Sequence, residues 1–196
     1  MSEIKKKLFD WCNGSLEESK QPIAQSIEPL REEASFRRYF RLNRTEDSII
    51  GVYSPPEMES NKEFIFFSKY FKERNINVPE ILHADVQQGF MLLEDFGDDL
   101  YQFKLNNSNK NELYKIAIKE LIKIHSCIDT SNIQRITKKE CTLQMKLFEE
   151  WLLKRLLGFN VNSEIKSLLR KVYGLIEIIF FDQPQVLCHF DFESRN

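Results

Sequence analysis

Several protein classes leave marks that this sequence lacks. Its cysteines contain no C-x-x-C pair, and its three histidines do not cluster with them, so neither a disulfide framework nor a zinc site is predicted. No apolar run approaches the ~18 residues of a membrane-spanning helix, and no secretory leader is evident. We therefore expect a cytoplasmic protein with no membrane partner and with reduced, mostly buried thiols. The four cysteines are Cys12, Cys127, Cys141 and Cys188.

The chain also lacks a large excess of either positive or negative charge. The 196-residue chain has 28 Lys and Arg against 30 Asp and Glu, a net charge of −2. Nucleic-acid surfaces are typically basic, so no nucleic-acid partner is predicted, although the aromatic and basic run at residues 36–41 keeps single-strand binding open as an alternative. Apolar residues make up 42% of the chain, which is enough for a core in one domain or two small lobes.

The last eight residues, HFDFESRN, have the H-x-D-x-x-x-x-N spacing of a kinase catalytic loop. In such a loop the Asp accepts the proton of the attacking hydroxyl and the Asn holds a magnesium ion. We therefore predict Asp191 as the catalytic base, His189 as a brace of the loop and Asn196 as a metal ligand. The alternative is an ordinary strand end with a capping Asp. The apolar run at 184–188 predicts a buried strand that leads into the loop.

Residues 35–42 alternate as a strand does, and a hairpin loop at 43–47 leads into a second strand at 48–53. One side of the first strand carries Phe36, Arg38, Phe40 and Leu42, and the other carries Arg37, Tyr39 and Arg41. In kinase-like folds a turn at this place lies over the nucleotide phosphates, and protein kinases use glycines there. This turn has none. It offers the small residues Ala34 and Ser35, followed by arginines. We predict that the Ser35 hydroxyl, backbone N–H groups and Arg37 or Arg38 hold phosphate; the alternative is a solvated basic face.

A buried apolar strand at 89–93 ends abruptly in an acidic turn with glycine, which is typical of a hinge between lobes. We predict that the backbone of Glu94, Asp95 and Phe96 pairs with the adenine edge. The alternative is a polar turn from strand to helix. Asp95-Phe96-Gly97 is not the kinase metal motif, because that motif follows the catalytic loop.

The remaining periodic segments predict helices at 4–12, 61–74, 111–127, 143–157 and 163–180. Ser60 and Glu63 have the spacing of a capping box, and Ser163 is the predicted cap of the last helix. The strand at 48–53 lacks the lysine that kinases place there, and Arg38 is our candidate for its charge.

Three stretches, residues 34–41 (ASFRRYFR), 89–97 (GFMLLEDFG) and the final loop, closely resemble the aminoglycoside phosphotransferase and choline kinase-like family. The resemblance is closest to its bacterial anomeric kinases of N-acetylmuramate and N-acetylglucosamine. It implies an α+β, bilobal protein kinase-like fold with a small antiparallel lobe (1–93), a hinge (94–98) and a mainly helical large lobe (99–196).

The resemblance also implies ATP- and Mg²⁺-dependent transfer of phosphate to a small-molecule sugar, with Glu149, Glu150 or Arg155 on the acceptor side. In the family a strand bearing the main magnesium ligand follows the loop, so we expect this chain to be the first part of a longer kinase and inactive alone. Two alternatives stay open. One is a degenerate kinase-like module that binds nucleotide or protein without turnover; the other is a kinase for an aminoglycoside or another small alcohol.

Overall fold

The computed structural model describes residues 3–30, 35–127 and 129–195, and these residues form two compact units. The first unit holds the described residues up to Ile124 together with those from His189 onward, and the second is His125–Cys188. The predicted lobe limits divide the chain elsewhere and stay a prediction. Among the described residues no helix combines the length and apolarity needed to cross a membrane.

The first unit is built on a five-stranded antiparallel sheet with the strand order β1-β2-β3-β5-β4. The predicted hairpin is confirmed, since Arg38 pairs with Tyr53 and Asn43 with Ser48 across residues 44–47. Together with its helices this makes the chain α+β, as predicted. The strands are β1 (Ser26–Pro29), β2 (Arg38–Asn43), β3 (Ser48–Tyr53), β4 (Ile81–Asp85) and β5 (Phe90–Glu94).

Helix α1 (Glu3–Glu18) covers one face of the sheet and is longer than the predicted 4–12. Leu8, Cys12 and Leu16 recur every four residues along it, and each is fully buried. The apolar stripe therefore continues past Gly14, where the helix was predicted to end. Gly51 on β3 lets the helix lie close, because a Cβ there would stand 2.7 Å from Leu42 Cδ1 and 3.3 Å from Cys12 Sγ.

Helix α2 (Asn61–Lys72) packs on the opposite face, where Phe64 and Ile65 contact buried Val52 and Leu93. The predicted capping box at its start is wrong: Ser60 is the N-cap residue but its side chain makes no capping hydrogen bond. The side chain of the next residue, Asn61, is buried instead and bonds to the hydroxyl and carbonyl of Ser54. Anchoring the helix start through Asn61 replaces the cap.

Two helices follow β5 in sequence, and two more, with a π-helix between them, build the second unit. The predicted cap at Ser163 is also wrong, since the Asn162 side chain accepts the bond from Ile165 N at 2.9 Å. The predicted helix at 143–157 begins earlier, behind a capping box of Thr137 and Glu140, and changes to π-helix. The helices are α3 (Tyr101–Lys104), α4 (Lys110–His125), α5 (Lys138–Leu147), the π-helix (Phe148–Leu156) and α6 (Ser163–Phe181).

Two strand predictions fail in physically understandable ways. Residues 184–188 form no strand, because ladder pairing in the described part of the chain is confined to β1–β5 and an apolar run without a neighbour has no ladder to join. Leu187 is nevertheless buried, as its apolar side chain predicts. Phe36 was placed on the buried side of β2, but it precedes that strand and is 59% exposed.

Candidate functional site

The predicted catalytic loop lies in the first unit, with the sheet. Its backbone is tied to α3, because Gln102 N donates to Ser194 O at 2.9 Å. Within the loop the Asp191 N–H donates to His189 Nδ1 at 3.3 Å, and the His189 ring meets Phe192 edge-on at 5.8 Å. Phe190, between His189 and Asp191 in the sequence, has φ +64°, a left-handed conformation that turns the chain sharply. His189 thus contacts the loop in the way a brace does, while Asp191 is exposed.

Asn196, the predicted metal ligand, lies outside the described residues, and so does Ala34. In the part of the chain that the structure describes, no group of three or more His, Cys, Asp or Glu side chains is placed to hold a metal ion. Magnesium requires near-octahedral oxygen coordination, normally with one or two carboxylates.

The predicted phosphate-binding turn is organised around a carboxylate that the sequence reasoning missed, that of Glu59. Ser35 Oγ donates to Glu59 Oε1 at 2.8 Å, and Phe36 N donates to the same oxygen at 3.1 Å. Arg37 Nη2 stands 3.0 Å from Glu59 Oε2. No pattern around residue 59 signals this role, because the contact spans 24 residues and depends on how two loops meet.

Arg37 is fixed by more than this ion pair. Its Nε donates to Ser54 Oγ at 3.2 Å, and its guanidinium carbon lies 5.0 Å from the centre of the Phe64 ring. Arg38, one residue on, begins β2 and is exposed. The two arginines therefore differ: Arg37 is held against the protein beside Ser35, and Arg38 projects into solvent.

The predicted hinge residues lie together at the end of β5. Asp95 accepts from Arg41 Nε at 2.6 Å, from Ser48 Oγ at 2.7 Å and from Gly97 N at 2.8 Å. Burial alone would raise the pKa of the Asp95 carboxyl, but these hydrogen bonds, that from Arg41 foremost, more than offset it and the pKa lies below its ordinary value. Asp95 thus shapes the turn through its side chain.

The two neighbours of Asp95 are less enclosed. The Glu94 carboxylate accepts from Glu80 N at 3.1 Å, and Glu80 O accepts from Glu94 N at 2.9 Å, which closes the end of β5 against the start of β4. Phe96 is 50% exposed. The structure brings all three predicted adenine-side residues into one turn, and their contact with adenine stays a prediction.

The residues predicted for the acceptor side lie in the second unit, on the π-helix. Lys154 Nζ is 3.0 Å from Glu149 Oε1 and 3.2 Å from Glu150 Oε2. The Arg155 guanidinium carbon lies 4.5 Å from the centre of the Trp151 ring. Glu149 and Glu150 line a groove of about 710 Å³ between α5, the π-helix and α6.

A buried hydroxyl also lines this groove. Tyr173 Oη has no hydrogen-bond partner among the described residues, and burial, followed by the nearby Glu149 charge, raises the pKa of Tyr173. The sequence reasoning did not select Tyr173, because a tyrosine on a helix gives no signal of an unpaired hydroxyl.

Residues 26–196 match the family model described as Phosphotransferase enzyme family, and the chain belongs to that family. The resemblance noted in the sequence is thereby confirmed.

Individual relatives agree with this assignment. The chain is 30% identical to the N-acetylmuramate/N-acetylglucosamine kinase of Pseudomonas aeruginosa over 175 residues, which are 89% of this chain and 52% of that protein. It is 30% identical to the kinase of the same name from Pseudomonas putida, over 88% of this chain and 51% of that protein. It is 27% identical to the kinase of the same name from Neisseria meningitidis, over 84% of this chain and 50% of that protein. The chain thus spans about half the length of the curated relatives it matches.

Proposed function

We propose that this chain carries the nucleotide side and the catalytic loop of a kinase that transfers the γ-phosphoryl group of ATP to a hydroxyl of an amino sugar. The observation that carries the proposal is Asp191, exposed within a braced H-x-D loop on the same unit as the sheet. The acceptor class comes from the relatives, which are named as kinases of N-acetylmuramate and N-acetylglucosamine.

In the proposed reaction the sugar oxygen attacks the γ-phosphorus, the O–P bond to ADP breaks, and the hydroxyl proton passes to the Asp191 carboxylate. Phosphoryl transfer depends on positioning and on stabilising charge, so a base held in place is the contribution required of this loop. We propose that the bond from Gln102 to Ser194 and the contacts of His189 restrict the movement of Asp191. His189 is proposed to act through that restriction.

For the nucleotide we propose that Ser35, Arg37 and Arg38 bind the phosphates and that the turn of Glu94, Asp95 and Phe96 meets the adenine. Asn196 is the proposed magnesium ligand on this chain. A bound magnesium ion would neutralise phosphate charge and align the reacting groups.

The test is a turnover assay on the protein expressed from its complete gene, with ATP, Mg²⁺ and N-acetylmuramate or N-acetylglucosamine, following ADP release. Asp191→Asn should lower kcat on the order of 10²–10⁴-fold, because general-base catalysis contributes about that much. Glu193→Gln is the matched control, since it removes a charge from the same loop at an exposed position. An Asp191→Asn protein as active as Glu193→Gln would refute the role of Asp191. Faster turnover of an aminoglycoside would overturn only the acceptor assignment.

A second candidate is a kinase-like module that binds nucleotide without transfer. The observation in its favour is the absence of lysine from β3, residues 48–53, where kinases carry one for the phosphates. The same assay separates the two, because the module would bind ATP and release no ADP above the Asp191→Asn background with any sugar.

A further inference from the structure

Glu59 occupies the turn that we propose for phosphate. Its two carboxylate oxygens accept from a hydroxyl (Ser35), a backbone N–H (Phe36) and a guanidinium (Arg37), at 2.8 to 3.1 Å. Its side chain is only 13% exposed. A hydroxyl, a backbone amide and an arginine are the donors that protein sites use for phosphate oxygens. We call these three donors the Ser35–Arg37 cradle.

The donors of the cradle cannot serve two anions at once. The Ser35 hydroxyl and the Phe36 amide have one hydrogen each, and each donates to Glu59. A phosphate group can accept from them only when the Glu59 carboxylate has left. A carboxylate that stayed would also repel the phosphate, since both are negative.

Glu59 can release the donors by a side-chain movement alone. Its backbone is held in place, because Glu59 N donates to Pro55 O at 3.0 Å and Asn61 anchors the start of α2 to Ser54. Arg37 has two contacts that do not depend on Glu59, the bond to Ser54 and the position over Phe64. Rotation of the Glu59 side chain would therefore free the three donors and leave Arg37 with these two contacts.

We propose that Glu59 is a resident anion that competes with the phosphates of the nucleotide for the Ser35–Arg37 cradle, so that nucleotide enters only as this side chain swings out. The inference rests on the proposed function for the identity of the ligand as a nucleotide. Glu59 is thereby a regulator of affinity in the nucleotide site and takes no part in the transfer itself.

The experiment measures binding of inorganic tripolyphosphate to this chain by titration calorimetry, with no sugar and no turnover. Glu59→Gln keeps the shape and an acceptor oxygen but removes the charge, and it should bind tripolyphosphate about tenfold more tightly than the unmodified chain. Glu57→Gln is the matched control, because Glu57 carries the same charge in the same turn and is exposed. It should leave the affinity unchanged. Adding Arg37→Gln to Glu59→Gln should abolish the gain.

Equal affinity of Glu59→Gln and Glu57→Gln would overturn the proposal, and so would weaker binding by Glu59→Gln, which would make Glu59 a support of the cradle. Absence of binding by every variant would overturn it as well. Glu59→Asp, which withdraws the carboxylate by one methylene, should give an intermediate gain and serves if Glu59→Gln unfolds. The result is independent of the transfer assay on Asp191, so the two proposals fail separately.

Discussion

Arg41 on β2 binds Asp95, 54 residues later in the chain, through two hydrogen bonds: Nε to Oδ2 at 2.6 Å and Nη2 to Oδ1 at 3.1 Å. The Asp95 side chain is 5% exposed and that of Arg41 is 19% exposed. Ser48 of β3 donates to the same carboxylate at 2.7 Å. One acidic group therefore connects two strands to the turn that follows a third, and this is the turn proposed to meet adenine.

Replacing Asp95 with Asn should lower the free energy of unfolding at pH 7 by about 2 kcal/mol, because charge-assisted hydrogen bonds are lost and Arg41 keeps its charge. The pKa of Asp95 is lower in the folded state than its unfolded value of about 3.9. The folded state therefore binds fewer protons, and the stabilisation is present above pH ~4 and lost as the pH falls through the folded pKa. Urea denaturation at several values from about pH 3 to about pH 7 should show a free energy of unfolding that depends less on pH in Asp95→Asn than in the unmodified protein.

The matched control for that variant is Asp98→Asn. Asp98 also binds Arg41, at 2.8 Å from Nη1 to Oδ2, but its side chain is 80% exposed. An exposed ion pair contributes about 0–1 kcal/mol, so this change should have a small effect. Equal losses of unfolding free energy in Asp95→Asn and Asp98→Asn would show that the burial of Asp95 does not determine how much its ion pair stabilises the protein.

Gly89→Ala should destabilise the protein more than Gly97→Ala. Both glycines have positive φ, +71° and +78°, so both substitutions cost backbone strain. A Cβ at Gly89 would also lie 2.2 Å from Ser54 O, whereas one at Gly97 would have nothing within 4 Å. The difference in the free energy of unfolding should be roughly 1–3 kcal/mol, measured by urea denaturation. Similar losses would mean that strain alone determines the cost.

Thiol labelling of the native protein should distinguish Cys188 from Cys12. Cys188 is exposed, while Cys12 is fully buried on the face of α1 that packs on the sheet, and burial raises the pKa of Cys12 to about 12. The thiolate is the reactive form, so at mildly alkaline pH Cys188 should react first and Cys12 only after unfolding. Mass spectrometry of labelled peptides measures the order, with labelling in guanidinium as the control. Early labelling of Cys12 would contradict the packing of α1 on the sheet.

Thr137→Ala should destabilise α5 by about 1 kcal/mol, because the Thr137 hydroxyl accepts from Glu140 N and the Glu140 carboxylate accepts from Thr137 N. Ser60→Ala is the comparison: Ser60 also precedes a helix but makes no such bond, and it should cost a few tenths of a kcal/mol at most. Hydrogen exchange at the first turns of α5 and α2 measures both. Faster hydrogen exchange at the start of α2 in Ser60→Ala would be evidence for the capping box that the sequence predicted.

Local patterns predicted the elements well. The alternation before and after residues 43–47 gave the hairpin of β2 and β3, and the segment 163–180 became α6 almost residue for residue. The strand predicted at 184–188 was wrong, because a strand needs a neighbour and periodicity carries no information about one. The predicted caps at Ser60 and Ser163 were wrong, although the two helices begin at the predicted residues 61 and 163: Asn162 makes the capping bond of α6, and no side chain caps α2.

In the candidate site the sequence predicted which residues to consider but not what they contact. The H-x-D motif placed His189 and Asp191 in one loop, and the structure adds the contacts of His189 with Asp191 N and with the Phe192 ring. The charge thought to replace the missing strand lysine was assigned to Arg38. The neighbouring Arg37 is the arginine held beside Ser35, because alternation along the chain turns the two side chains to different surroundings.

The amino-acid sequence by itself determined the family and the periodic segments, since these depend on residues close together in the chain. Only the tertiary structure decided which acid meets which base. Asp95 reaches Arg41 and Glu59 reaches the Ser35–Arg37 cradle because the sheet order and the loop after β3 bring distant segments together. Charges of opposite sign attract wherever they meet, and it is the packing of the backbone that selects the pairs.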